Sequence, residues 1–144
     1  MANPRKVVAY DGIGALRVTF KIDGVTIVYD STKANGAATT AISKAVTLSA
    51  ADTVALAADG EFVLGKLETV EPDGMCTVQI RGYVTLPGGN GASLTRGKGI
   101  VGALNGSSEK GYIREVATGT AAELGRQNGF IQNAADTTAV ICCL

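Results

Sequence analysis

Gly97-Lys98-Gly99-Ile100-Val101-Gly102 fits the pattern G-x-G-x-x-G, in which a tight glycine turn lets backbone N–H groups meet a dinucleotide pyrophosphate. That chemistry needs a buried strand before the turn and a helix N-terminus after it. Ala92-Ser93-Leu94-Thr95-Arg96 leads in, and Ala103-Leu104-Asn105-Gly106-Ser107 follows, a poor helix former. In a chain with 19 glycines a chance match is expected, and no dinucleotide site is predicted. Gly91 to Gly97-Lys98 approaches a phosphate-binding loop, but the spacing is one residue too long and Gly99 stands where Ser or Thr is required. Asn105-Gly106-Ser107 has the form of a glycosylation acceptor and reads as a turn.

Acids and thiols fare no better as reactive groups. Paired carboxylates can do general acid–base work, yet Asp11, Asp23, Asp52, Asp59, Asp73 and Asp136 all stand in turn contexts. Glu68 and Glu71 flank a turn as a solvated rim. The three cysteines, Cys76, Cys142 and Cys143, make neither a disulfide framework nor a zinc spacing. Cys76 shares an apolar face with Val78 and Ile80, as a packed thiol does. Histidine is absent, which removes the commonest general base and the usual Ser–His and Cys–His nucleophile pairs. The residues therefore predict no catalysis, no metal and no cofactor.

The 144 residues hold 13 basic and 13 acidic side chains, scattered along the chain. Phosphate neutralisation needs a basic excess or stripe, so neither nucleic acid nor an anionic membrane is the expected partner. Met1-Ala2-Asn3-Pro4-Arg5-Lys6 is followed by Val7-Val8-Ala9-Tyr10, which Asp11-Gly12 interrupts before a signal-peptide core could form. No window reaches the length of an apolar span, so a soluble protein made in a cytoplasm is expected.

Abundant Gly, Ala, Val and Thr, with no Trp, suit short strands and turns rather than a helix bundle. Val18, Phe20 and Ile22 alternate with Arg17, Thr19 and Lys21, the period of a strand with one wet face. Asp23-Gly24 is a preferred two-residue turn. Folding there pairs Ile22 with Val25, Phe20 with Ile27 and Val18 with Tyr29, a hairpin over residues 17–30 with one apolar face. A lone hairpin is marginal, so that face must lie on the body of the protein or on another chain. Small polar residues over 31–40 read as a linker.

The body then reads as strands between turns: 45–48, 53–56, and 61–70 with a break at Gly65 marking a bulge or close backbone approach. The turn Glu71-Pro72-Asp73-Gly74 follows, then a strand from Cys76 that continues past Gly82 through Tyr83–Leu86. Further strands are expected at 100–104, 112–116 and 139–144. Thr120 to Glu123 has capping-box spacing for one short helix ending at Gly125. Short strands at such spacing predict a mainly β fold, a small barrel or sandwich.

In their order, Ala45-Val46-Thr47-Leu48, Thr53-Val54-Ala55-Leu56-Ala57, Val63-Leu64-Gly65-Lys66-Leu67 and Val70-Glu71-Pro72-Asp73-Gly74 resemble the decoration, or cement, proteins of tailed-phage capsids. The resemblance runs on through Val78-Gln79-Ile80-Arg81-Gly82-Tyr83, Leu86-Pro87-Gly88-Gly89, Gly111-Tyr112-Ile113-Arg114 and Asp136-Thr137-Thr138-Ala139-Val140. It covers most of the chain and rests on order, since none of these motifs is a chemical signature. It implies a barrel-like β decoration domain over 41–144 with residues 1–40 as an added arm. It also implies homotrimers on the threefold positions of an icosahedral shell, bound to the major capsid protein on the outer surface of the virion and stabilising the expanded lattice. Val18, Phe20, Ile22, Val25, Ile27 and Tyr29 are then the expected contact face; otherwise they close the subunit's own core. A small-barrel module for carbohydrate or single-stranded nucleic acid is the alternative, though its stacking platforms need aromatics and only 4 Tyr and 3 Phe are present. A tail or baseplate component has the same composition.

Overall fold

A computed structural model of the chain describes residues 13–33, 40–90, 93–117 and 120–144. Among the described residues ten strands and one helical turn follow one another: β1 (Leu16–Ile22), β2 (Ala45–Ala50), β3 (Thr53–Leu56), β4 (Gly65–Val70), β5 (Met75–Arg81), β6 (Tyr83–Leu86), β7 (Ile100–Asn105), β8 (Glu109–Glu115), α1 (Ala121–Leu124), β9 (Phe130–Asn133) and β10 (Val140–Cys143). Strands β1-β3-β2-β4-β5 close into a barrel, β6-β10-β9 form a second sheet, and β7 pairs with β8. The mainly β, small-barrel expectation is met.

Alternation along the strands builds two cores. Inward-facing Val46, Val54, Leu56, Leu67, Val70, Cys76 and Val78 fill the barrel. Their outward neighbours Ala45 and Ala57 join Val63, Val84, Leu86, Ile100, Ile113, Ile131, Val140 and Cys142 in the other core. The period of 2 thus places one wall of the barrel under the flanking sheets. Small alanines on that wall let the two layers approach closely.

Local signals succeed where the turn decides the structure. Glu71 and Met75 close the Pro72 turn through Glu71 N–H to the Met75 carbonyl at 2.7 Å, with Gly74 at φ +81°. Gly65 is a close approach, since a Cβ there would run into the Gln79 carbonyl of β5. Gly97–Gly102 runs straight into β7, so the strand-turn-helix context of a dinucleotide site is not formed. Central in its sheet, β10 pairs with β6 on one side and β9 on the other.

Three expectations are corrected. The hairpin over 17–30 does not form: β1 pairs antiparallel with β5 and parallel with β3, and residues 25–30 form no strand. A two-residue hairpin turn needs φ > 0 at both central positions, and of the two only Gly24, at +69°, has it. The Asp23 carboxylate instead accepts the Thr26 N–H (2.9 Å), the Thr26 hydroxyl (2.7 Å) and the Ile27 N–H (2.9 Å). That local capture competes with strand pairing, while β5 offers β1 a better partner. Consequently β1, expected in a separate arm, is a stave of the same barrel as the strands after residue 41. The strand expected to continue through Gly82 changes sheets there, because Gly82 takes φ +93°. Finally, α1 is present, but Thr120 makes no side-chain cap bond; Glu123 is drawn away to Arg114. Most of the expected linker (34–39), Gly91 of the loop after β6, and the first twelve residues with Asp11 lie outside the described residues.

Candidate functional site

The six apolar residues expected to share a contact face are not brought to one surface. Ile27 is fully buried, with 0% of its surface exposed, inside the barrel core. Phe20, Ile22 and Tyr29 pack against the same core, half-buried, and Val18 is half-buried on β1. Val25, by contrast, is 82% exposed. Most of the set serves the subunit's own interior because β1 entered the barrel and the chain after Asp23 folded in after it.

Around Val25 the arrangement is specific. Three bonds from Asp23 fix the turn that carries it. The Asp23 amide donates to the Val54 carbonyl at 3.0 Å, and Thr26 Oγ1 accepts from the Leu56 N–H at 2.9 Å. Both ends of the turn are thereby tied to β3. Partial burial pushes the Asp23 pKa up, but the bonds from Thr26 and Ile27 outweigh it and hold it below its ordinary value. Val28 and Leu48 are also exposed. Leu48 pairs with Val54, which in turn pairs with Ile22, so it sits two strands from the foot of the turn. Leu48 and Val28 could not be picked out from the sequence, because each sits in a stretch of alternating pattern that reads as half-buried strand. Ile13 and Leu16 are further exposed apolar side chains, at the start of β1.

Two ionic groups lie where the flanking sheets meet the barrel. Arg114 on β8 donates from Nε to Asp59 at 2.9 Å and from Nη2 to Glu123 at 2.6 Å, joining the turn after β3 to α1. Hydrogen bonds from Arg114, then from the Ala117 N–H, hold the Glu123 pKa down to about 2. The second group centres on Lys44, only 9% exposed. Its Nζ donates to Glu109 at 2.6 Å and lies 4.8 Å from the centre of the Tyr112 ring. The bond from Lys44, then that from Asn105, holds the Glu109 pKa down to about 2.

Glu68 and Glu71 do not make a dyad: Glu68 faces Arg17 at 3.6 Å and Lys66 at 4.0 Å. Burial pushes the Cys76 thiol up to about 11 and the Cys142 thiol up to about 12, so both are packing groups rather than nucleophiles at neutral pH. Among the described residues no group of three or more acids or thiols is arranged to hold a metal ion, and no helix is long and apolar enough to cross a membrane.

Comparison with family models, with curated proteins and with solved structures finds no match.

Proposed function

We propose that this protein is a structural component of a tailed-phage particle that binds the outer surface of the icosahedral shell, as trimers at threefold positions, and stabilises its expanded form. The reading rests on the resemblance in motif order, and one structural observation supports it above others. Val25 is an apolar side chain held almost wholly in solvent by a turn that Asp23 and β3 lock in place. Presenting an apolar group on a fixed turn removes the ordering cost that a flexible loop would incur on binding; Val28 and Leu48 are exposed apolar side chains as well.

A subunit that binds only the expanded lattice stabilises that lattice by mass action. Repetition around a threefold makes release slow even where each contact is modest. The partner is the major capsid protein, and the role needs no catalytic group.

The test is co-sedimentation of the purified protein with capsids of its source, before and after expansion. Saturation at a fixed ratio to shell subunits, with expanded capsids only, is the expected result. Changing Val25 and Val28 together to Ser should weaken that binding by roughly tenfold or more while leaving the melting temperature within a few degrees. Absence of wild-type binding to either capsid form removes the capsid role.

A further inference from the structure

A cleft of about 290 Å³ opens at the seam between the barrel wall and the flanking sheets. Its floor and sides include Ser43, Lys44, Lys66, Thr85, Leu86 and Tyr112. The two lysines differ in how their charge is met. Lys44 is satisfied by Glu109 at 2.6 Å and by the Tyr112 ring. Lys66, with only 15% of its side chain exposed, has Glu68 no closer than 4.0 Å, and Glu68 also serves Arg17 at 3.6 Å. With its stem covered and its Nζ held by no acid closer than 4.0 Å, Lys66 offers a positioned and loosely paired ammonium to a further anion. With Lys44 set against Glu109, and Glu68 set against Arg17, its closer partner, Lys66 is left as an excess of one positive charge.

The remaining polar groups fit that charge. Among the described residues the hydroxyls of Ser43 and Thr85 make no hydrogen bond, so both are available as donors. Ser43 also has φ +68°, the left-handed region, and is held there by its N–H to the Leu67 carbonyl at 2.8 Å. Non-glycine residues kept in that region concentrate at ligand-binding positions. Ile42 and Pro87, both half-buried, give the cleft an apolar side.

We propose that this cleft binds a carboxylate group, with the anion on Lys66 Nζ and the hydroxyls of Ser43 and Thr85, and its carbon chain against Ile42 and Pro87. A single excess positive charge beside an apolar wall suits a monoanion with a hydrocarbon stem better than a phosphate, which carries more charge and no apolar part. The same chemistry is offered by a small free carboxylate and by a glutamate side chain of a docking protein.

Titration of the intact protein with butyrate at constant ionic strength, followed by amide ¹H–¹⁵N shifts, tests the assignment. Saturable shifts at Ser43, Lys44, Thr85 and Tyr112 are expected, absent with chloride. Lys66→Gln should weaken binding by about tenfold or more, and Thr85→Val should weaken it by several-fold with an unchanged melting temperature. Equal response to chloride, tighter binding of inorganic phosphate, or wild-type affinity in Thr85→Val and Lys66→Gln would overturn the proposal. A blocked pentapeptide with a central glutamate, compared with its glutamine twin, separates the sources. Tighter binding of the glutamate peptide than of butyrate assigns the site to a protein side chain, and butyrate binding with no preference between the peptides assigns it to a small molecule.

Discussion

The barrel and the flanking sheets solve the same problem, pairing strand edges around an apolar interior, by different means. The barrel closes on itself, so β1 to β5 leave no open edge among them. The flanking strands close nothing. Their outer edges are taken up by loops: the Ile113 N–H donates to the Pro87 carbonyl at 2.9 Å, the Gly102 N–H to Glu61 at 2.8 Å, and the Gly97 N–H to Ile131 at 2.8 Å. Their core is completed by Ala45, Ala57 and Val63, on or beside barrel strands. The barrel has an interior of its own, whereas the flank exists only against the barrel wall.

That asymmetry sets the largest expected effects. Leu67→Ala in the barrel and Ile113→Ala in the flank each remove a fully buried side chain and should cost about 2–5 kcal/mol. Their patterns should differ. Leu67→Ala is expected to raise amide hydrogen exchange in both halves together, because the flank loses its wall when the barrel opens. Ile113→Ala should raise it in β6 to β10 first, with β1 to β5 still protected. Uniform loss of protection in both variants would show that the two halves unfold as one unit.

Gln79 tests the joint between the halves and should give a smaller effect. It is 2% exposed, and its Nε2 donates to the carbonyls of Arg81 (3.1 Å) and Tyr83 (3.2 Å) on either side of Gly82. Where the chain leaves one sheet for another, those carbonyls lie outside a regular ladder, and one amide side chain serves both. Gln79→Leu keeps the volume and removes both bonds, for an expected loss of about 1–3 kcal/mol in urea denaturation. A stability equal to wild type would mean that water satisfies the joint.

How much of this was legible follows from the range of each determinant. β2, β3, β5 and the Pro72 turn were readable because alternation and turn residues sit within a few positions of one another. Asp23-Gly24 carried the same kind of local signal and misled, since a distant strand, β5, outcompeted the near one for β1. β9 was missed although Asn128-Gly129 marks a turn just before it, because Phe130-Ile131-Gln132-Asn133 is only four residues long and carries too little alternation to read as a strand. The change of sheet at Gly82 depends on which strand arrives alongside, and no residue near it reports that. The ionic groups were out of reach for the same reason: Lys44 and Glu109 are 65 positions apart, and Arg114 and Asp59 are 55 apart. Of the apolar contact candidates, alternation identified a shared face correctly for β1, but could not say whether the protein itself or a neighbour would cover it.

Acid sensitivity gives the smallest predicted effect and the one most specific to the flank. Glu123 has an ordinary carboxyl pKa of 4.5 in the open chain and about 2 when folded, held down first by Arg114 and then by the Ala117 N–H. A carboxyl whose pKa falls on folding stabilises the protein fully above its unfolded pKa, and the contribution disappears as pH drops through the folded one. Stability should therefore decline between pH 4.5 and pH 2, with Glu109 on Lys44 titrating over the same window. Arg114→Met removes one of these two anchors. At neutral pH it should cost about 1–2 kcal/mol, carried by the Arg114–Glu123 bonds, whose groups are mostly shielded from solvent, while the half-exposed Asp59 adds little. Toward pH 2 the difference from wild type should shrink, because wild type has by then lost the same interaction. Thermal melts of both proteins from pH 7 to pH 2 measure this directly. Converging curves place the acid-labile anchor at Arg114–Glu123. Coincident curves would instead leave the whole acid response to Lys44–Glu109 and the remaining carboxylates, making the tie between β8 and α1 a surface pair of no consequence to the fold.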